Sequence, residues 1–370
     1  MPAVLNVLHV YSGNLFGGVE RMLISLTTQT ASACRHQFAL CFEGKLSQAL
    51  QARRAPVEFL GPVRLRKPLS ALRARRALRR LLDSHRFDVV VCHGIWSYCV
   101  FASSIARAGL PPLLYLHDIP EPDSWYYRWA WRRPPSLCIA NSEYTAKLLT
   151  NLRRQVPVRV VHPLVNPPAV SDPVAVQTLR TQWHANAEDA VILQASRFDS
   201  WKGHRNLVAA LASLRDVPGW RCWIAGAPQR PEEESYKREL VRAIDSAGIA
   251  SRVEFIGHRD DMETVLAACD VYCQPNETPE PFGMVFVEAL YASKPVVGRA
   301  LGGALEIVTP ECGVLCPFGT EALVAALSGL VKSRRLREQM AAAGPARATS
   351  LCGPDAFDSG FHAALSSLRH

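Results

Sequence analysis

The stretch VILQASRFDSWKG, residues 191–203, decides how the rest of the chain is read. Val191–Ala195 has the length and β-branching of a buried strand. Ser196 to Lys202 is a polar loop, Gly203 permits a tight turn, and from His204 to about 214 apolar residues recur at helical spacing. Strand, loop and amphipathic helix make the repeating unit of a parallel sheet covered on both faces.

The unit recurs in both directions. Downstream, strands are predicted at Arg221–Ala225, Val253–Ile256, Val271–Gln274, Pro295–Val297 and Gly313–Cys316, with helices near 204–214, 232–247, 284–293 and 320–342. Upstream, they are predicted at Val4–Val10, Phe38–Phe42, Val57–Leu60, Asp88–His93, Leu113–His117, Leu137–Ala140 and Arg159–His162, with helices near 18–33, 70–85, 97–108 and 142–153. Between the two series, Pro163–Pro173 has four prolines and little periodicity, as a linker does. A last amphipathic helix spans about 354–368. The expected class is α/β, with two doubly wound Rossmann-like domains facing a central cleft, and ligands beyond the carboxyl ends of the strands.

Composition narrows the class. The chain has 370 residues, 48% hydrophobic and 20% charged, which is enough to bury a core and excludes a disordered chain. No run approaches the ~20 uncharged apolar residues of a membrane-spanning helix. Met1 to Tyr11 lacks the cationic leader of a secretory signal. Eleven cysteines, an odd number scattered through apolar stretches, read as reduced thiols in a cytoplasmic protein. Cys269 with Cys273 and Cys312 with Cys316 are spaced C-x3-C and overlap predicted strands, so a zinc site is not expected. Neither a Walker phosphate loop nor G-x-G-x-x-G occurs.

Within the opening stretch, Arg197 and Lys202 can converge on one anion, a planar fork beside a point charge, or be two solvated cations. Their place after a core strand favours the first reading. A second candidate is TPEPFGMVFVEA, residues 278–289. Pro279 and Pro281 keep Glu280 out of a helix interior, and Pro281 suits a first helical position. The amides of Phe282, Gly283, Met284 and Val285 would then lie at a helix start, where they can take up a phosphate or sugar oxygen. Glu280 and Glu288 would flank that site, and carboxylates accept well from vicinal sugar hydroxyls. The alternatives are helix-dipole stabilisation for Glu280 and an exposed face for Glu288.

Two weaker signals lie in the first half. Gly17 and Gly18, between the first strand and its helix, allow a ligand close to the backbone or make a plain turn. His117 ends a strand and is followed by Asp118. It can bond a ligand, shuttle a proton, or be a satisfied loop histidine. His93 ends the preceding strand with the same ambiguity.

With these residues in hand, the chain resembles a retaining glycosyltransferase of family 4, with the GT-B fold and of bacterial cell-envelope polysaccharide type. Gly17-Gly18-Val19-Glu20, His117, Arg197…Lys202-Gly203, Glu280-Pro281-Phe282-Gly283…Glu288 and Gly302-Gly303…Glu306 occur in that family's order across essentially the whole chain. The resemblance implies an acceptor-binding domain over 1–165, a nucleotide-sugar domain over 166–353, and a terminal helix over 354–370 that packs back on the first domain. It implies that Arg197 and Lys202 bind the donor diphosphate, Glu288 the ribose and Glu280 the donor sugar. Gly18 would approach the donor phosphate and His117 the transferred sugar, with the backbone near Arg259 touching the base.

Physically, two cations and a helix start would stabilise charge on the departing diphosphate. No D-x-D occurs, so the account needs no metal and no cofactor beyond the donor. Retention could follow double displacement or front-face attack. A relative that epimerises or hydrolyses a nucleotide-sugar is the neighbouring enzymatic reading. An inactive partner subunit is disfavoured by the intact acids and cations.

Charge adds a location. Residues 1–170 carry 22 Lys+Arg against 9 acids, while 171–370 carry 20 against 24. Arg64, Arg66, Lys67, Arg73, Arg75, Arg76, Arg79, Arg80 and Arg86 share a stretch with leucines at 69, 72, 78, 81 and 82. Trp125 and Trp129 lie in an aromatic run closed by Arg132 and Arg133. Arg73, Arg76, Arg80, Trp125 and Trp129 are the candidates for touching an anionic membrane or a lipid-linked acceptor, peripheral on the inner face. The alternative buries the leucines in the core and fills an interface with the aromatics. A nucleic-acid reading of the same residues is disfavoured, because it leaves the acidic second half without a role.

Overall fold

In the computed structural model the described residues are 4–14, 16–29, 33–64, 66–152 and 155–368. The chain forms two compact units, Met1–Asn166 with Cys352–His370, and Pro167–Leu351.

The first unit contains β1 (Leu5–Tyr11), α1 (Gly18–Ser25), β2 (Cys34–Leu40), α2 (Lys45–Ala52), β3 (Val57–Phe59), α3 (Pro68–Ser84), β4 (Val89–His93), α4 (Gly94–Arg107), β5 (Pro112–Leu116), α5 (Trp125–Ala130), β6 (Leu137–Ala140), α6 (Glu143–Leu152) and β7 (Val158–Val160). Its strands form one parallel sheet in the order β3-β2-β1-β4-β5-β6-β7. All five residues of β4 and of β5 are buried, as a sheet covered on both faces requires.

The second unit contains α7 (Pro173–Gln182), β8 (Ala190–Ala195), α8 (His204–Ser213), β9 (Trp220–Ala225), α9 (Pro231–Ser246), β10 (Val253–Gly257), α10 (Met262–Ala268), β11 (Val271–Gln274), α11 (Met284–Tyr291), β12 (Val296–Arg299), α12 (Ala304–Ile307), β13 (Gly313–Cys316), α13 (Thr320–Lys332) and α14 (Arg334–Cys352). Its parallel sheet runs β10-β9-β8-β11-β12-β13. The strand order reverses between β1 and β4 in one sheet and between β8 and β11 in the other. Crevices open at such reversals, beyond the carboxyl ends of the strands.

The last helix, α15 (Pro354–Ser366), belongs to the first unit. The Val165 amide donates to the Cys352 carbonyl at 2.9 Å, and Phe357 and Phe361 are buried and stacked. Each such ring contributes about 1.5–3 kcal/mol by leaving water.

Every predicted strand is present, with ends shifted by a few residues. The helices differ more. The expected helix over 320–342 breaks at Ser333, while α2, α5, α7, α10 and α12 were not foreseen. The helix α7 starts at the edge of the presumed linker, because Asp172 accepts from the Val174 amide at 3.0 Å and Pro173 fits the first turn. Of the predicted helices over 18–33 and 142–153, residues 30–32 and 153 lie outside the described ones. The eleven cysteines are buried and free of disulfides. Burial pushes the Cys269 thiol up to about 12 and raises that of Cys316.

Candidate functional site

In the second unit the site is built on β8 and β11, which are neighbours in the sheet. Gln194, next to last in β8, and Gln274, last in β11, are both fully buried. The amide nitrogen of Gln194 donates to the Lys202 carbonyl at 2.8 Å, pinning the loop after β8. Gly203 then takes φ +78, and a Cβ there would lie 1.9 Å from the Pro275 carbonyl oxygen. The loops after β8 and β11 are thus in backbone contact, which only glycine allows.

This contact sets Lys202 against Glu280. Lys202 Nζ donates to Glu280 Oε1 at 2.7 Å, and the side chains are only 11% and 16% exposed. The ammonium also lies 4.1 Å from the centre of the Trp201 ring. The other carboxylate oxygen accepts from Gln274 Nε2 at 3.0 Å and from Asn276 Nδ2 at 2.9 Å. The Tyr272 hydroxyl in turn donates to Gln274 Oε1 at 2.8 Å. The Glu280 backbone is held as firmly. Its carbonyl accepts from the Gly303 amide at 2.9 Å, and Gly302 and Gly303 lie too close to residues 280–282 for any Cβ. The glycine pair that the resemblance marked therefore shapes the Glu280 loop.

The helix starts at Met284, as expected from the spacing, and Pro281 does not take the first helical position, because Gly283 adopts a left-handed conformation (φ 111, ψ 61) that ends the irregular segment. Met284 and Val285, but not Phe282, lie in the first turn, and no side chain caps it. Lys202 is paired with Glu280, so a ligand meets the ammonium together with its carboxylate.

Arg197 is 61% exposed and pairs with Asp199 at 2.9 Å. Arg230 reaches the same carboxylate at 2.9 Å and also Glu233 at 2.7 Å. Asp199 thus holds two outward-facing guanidiniums side by side. Glu288 is half-buried, not an exposed face residue. Burial raises Tyr272 far above the usual phenol range, with Glu280 and, more weakly, Glu288 adding to it, so both acids act on one hydroxyl. The Arg259 side chain is folded onto Asp261 at 2.8 Å through Nε, just beyond β10.

In the first unit, Gly17 caps α1 with extended backbone and Gly18 begins it. Glu20, buried, accepts from the Gly17 amide at 2.8 Å and from the Tyr11 hydroxyl at 2.7 Å. His117 lies one residue beyond β5, 7% exposed, with its ring stacked on Tyr115 at 4.3 Å. Its Nε2 lies 2.9 Å from His93 Nδ1, and its carbonyl accepts from Asn141 at 3.0 Å. Burial pushes His117 down to about 3, so at neutral pH it is an uncharged imidazole.

The basic stretch forms α3, whose leucines divide. Leu78 and Leu81 face the core, while Leu69 and Leu72 are exposed beside Arg73, Arg76 and Arg80. Arg75 is drawn inward, donating to the Val100 carbonyl at 2.6 Å and lying over the Trp129 ring at 5.4 Å. Trp125 is 56% exposed.

Sequence reasoning missed Tyr272, Gln274, Asn276 and Arg230. Gln274 carries a signal after the fact, as an amide at the end of an otherwise apolar strand. Arg230 carries none, since the fold alone brings it to Asp199.

Comparison with known proteins gives two family matches. "Glycosyltransferase Family 4" matches residues 16–168, and "Glycosyl transferases group 1" matches residues 176–347. The lipopolysaccharide core biosynthesis glycosyltransferase LpsD of Rhizobium meliloti is 26% identical, covering 92% of each chain. The D-inositol 3-phosphate glycosyltransferase of Mycobacterium marinum is 33% identical over 53% of this chain and 42% of its own length. The chain spans about two fifths or less of that protein and of other curated relatives it matches. Among solved structures, Anabaena HepE in complex with UDP-glucose superposes with a TM-score of 0.81 at 26% identity, over 98% of this chain and all of that one.

Proposed function

The chain belongs to glycosyltransferase family 4, and from that premise we propose that it is a retaining hexosyltransferase. It moves a sugar from a nucleotide-diphosphate donor to a glycan or lipid-linked acceptor in envelope polysaccharide or glycolipid synthesis. The observation that carries this reading is the Lys202–Glu280 pair, oriented by Gln274 and Asn276 at the carboxyl edge of the second sheet. A donor diphosphate draws on Lys202 and Arg197, while Glu280, held by amides, presents oxygen to donor-sugar hydroxyls. The amides of Met284 and Val285 at the uncapped start of α11 donate to phosphate oxygens, Glu288 takes the ribose, and the backbone near Arg259 meets the base. Phe282 and Gly283 shape the approach to that helix start. As the glycosidic bond breaks, negative charge grows on the diphosphate where these fixed dipoles already point.

In the first unit we assign Gly17, Gly18 and the uncharged His117 to oxygens of a sugar or its phosphate. The acceptor falls to that unit. Support for a uridine donor and an envelope acceptor comes from the HepE complex with UDP-glucose and the name of LpsD.

Saturating UDP should raise the melting temperature. A ligand at about 100 times its dissociation constant adds about 2.7 kcal/mol. Glu288→Ala should abolish most of that shift, whereas Glu280→Ala should keep it and lose turnover. Equal loss of nucleotide affinity in both variants would overturn these roles. No helix among the described residues is long and apolar enough to cross a membrane. We place the protein in the cytoplasm, with α3 against an anionic lipid surface through Arg73, Arg76, Arg80, Leu69 and Leu72, and Trp125 and Trp129 as further contacts. Pelleting with phosphatidylglycerol vesicles at low salt should vanish at high salt and in Arg73→Glu/Arg76→Glu/Arg80→Glu. Absence of pelleting at low salt removes the membrane assignment.

A further inference from the structure

Four histidines cross the first sheet in a single hydrogen-bonded line. His36 Nδ1 lies 2.9 Å from His9 Nε2, His9 Nδ1 lies 2.8 Å from His93 Nε2, and His93 Nδ1 lies 2.9 Å from His117 Nε2. The line follows from strand register. His36 pairs with Val7, His9 with Val91 and His93 with Tyr115, so each next histidine sits two residues farther along the next strand. A step of two keeps the same face, and such diagonal neighbours are within reach of ring side chains. Phe361 of α15 covers the start of the line, with ring centres 6.3 Å from His9 and 6.4 Å from His36.

Burial holds all four rings uncharged near neutral pH. His36 is pushed down to about 4, and His9 and His93 fall well below the ordinary value, as His117 does. A neutral imidazole has one N–H and one lone pair. Three bonds in series must therefore all point the same way, since any reversal sets two lone pairs or two protons against each other. Only two registers exist, and the ends choose between them. His36 Nε2 is buried without a hydrogen-bond partner among the described residues. An orphaned N–H is tolerated less readily than an orphaned acceptor. The register with the proton on every Nδ1 leaves a bare nitrogen at that end and places an N–H on His117 Nδ1.

We propose that His36, His9 and His93 are positioning residues that lock His117 as an Nδ1–H donor, so that it recognises a ligand oxygen acting as acceptor. The identity of that ligand as a sugar rests on the function proposed above; the relay itself does not.

Long-range proton–nitrogen correlation on the full chain with 15N-labelled histidine, free of ligand at neutral pH, tests the relay. All four rings should show a protonated Nδ1 and a bare Nε2. His36→Phe removes the first donor and should lower the Nδ1–H population of His117 at least twofold. His36→Gln, whose amide can donate to His9, should restore it. Finding His117 as the Nε2–H tautomer in the unaltered protein overturns the proposal, as does a folded His36→Phe in which His117 is unchanged. If His36→Phe does not fold, the unaltered protein and His36→Gln still decide. Titration with UDP-glucose then tests the ligand separately. Movement of the His117 nitrogens supports the sugar assignment, and unmoved nitrogens overturn that assignment while the relay stands.

Discussion

Lys202→Ala should lower kcat by about two to three orders of magnitude, the usual effect of deleting one preorganised group that stabilises developing negative charge. The ammonium is positioned at both ends: the Gln194 side chain holds its backbone and Glu280 holds its tip. In water a lone lysine interacts weakly with phosphate. Here, with the side chain only 11% exposed, solvent screening is reduced and little reorganisation accompanies the reaction. The variant also leaves Glu280 without its cation, although Gln274 and Asn276 still donate to it. A stability loss of about 1–3 kcal/mol is therefore expected. Adding Glu280→Gln should recover part of that stability and none of the rate. Steady-state kinetics with a nucleotide-sugar, alongside thermal melts, separate the two effects. A Lys202→Ala enzyme within about threefold of the parent rate would show that Lys202 does not face the leaving group.

The largest stability effect is expected at a residue with no side chain. Gly203→Ala places a Cβ 1.9 Å from the Pro275 carbonyl oxygen at a backbone φ of +78. Positive φ costs a non-glycine residue roughly 1–3 kcal/mol, and overpacking about 1–3 more. The clashing atom is backbone, so no side-chain rotation relieves it. A total near 4 kcal/mol lowers the melting temperature by roughly 8–16 °C for a unit of this size. Because the same turn carries Lys202, activity should fall further than the melt alone explains. Gly329→Ala is the matched control, since Gly329 lies inside α13 with nothing within 4 Å of its added Cβ. There the change should stabilise by about 0.5–1 kcal/mol, because alanine loses less chain entropy in a helix. Equal melting temperatures for the two alanine variants would contradict the contact between the loops after β8 and β11.

Much of this was legible in the chain. The thirteen strands were readable because buried parallel strands are short β-branched runs, and those runs are local. Arg197, Lys202, Glu280 and Glu288 stood out as candidates because each lies in or just after a loop that punctuates such a run. The helix α5 was missed because its aromatic run has no clear stripe, although Tyr127 and Ala130 are buried. Pro281, although suited to a first helical position, stays outside the helix, because the left-handed Gly283 two residues later sets its start.

By itself, the sequence determined two α/β series, the loops that hold the candidate residues and the family to which the chain belongs, because alternation, turn residues and motif spacing are properties of neighbours in the chain. Tertiary structure alone decided that Lys202 meets Glu280 across 78 residues, that Arg230 joins Arg197 on Asp199, and that His36, His9, His93 and His117 stand in line. Those pairings depend on which strands lie side by side and in what register. Strand order is chosen by the packing of the whole sheet, and no local pattern of residues encodes it.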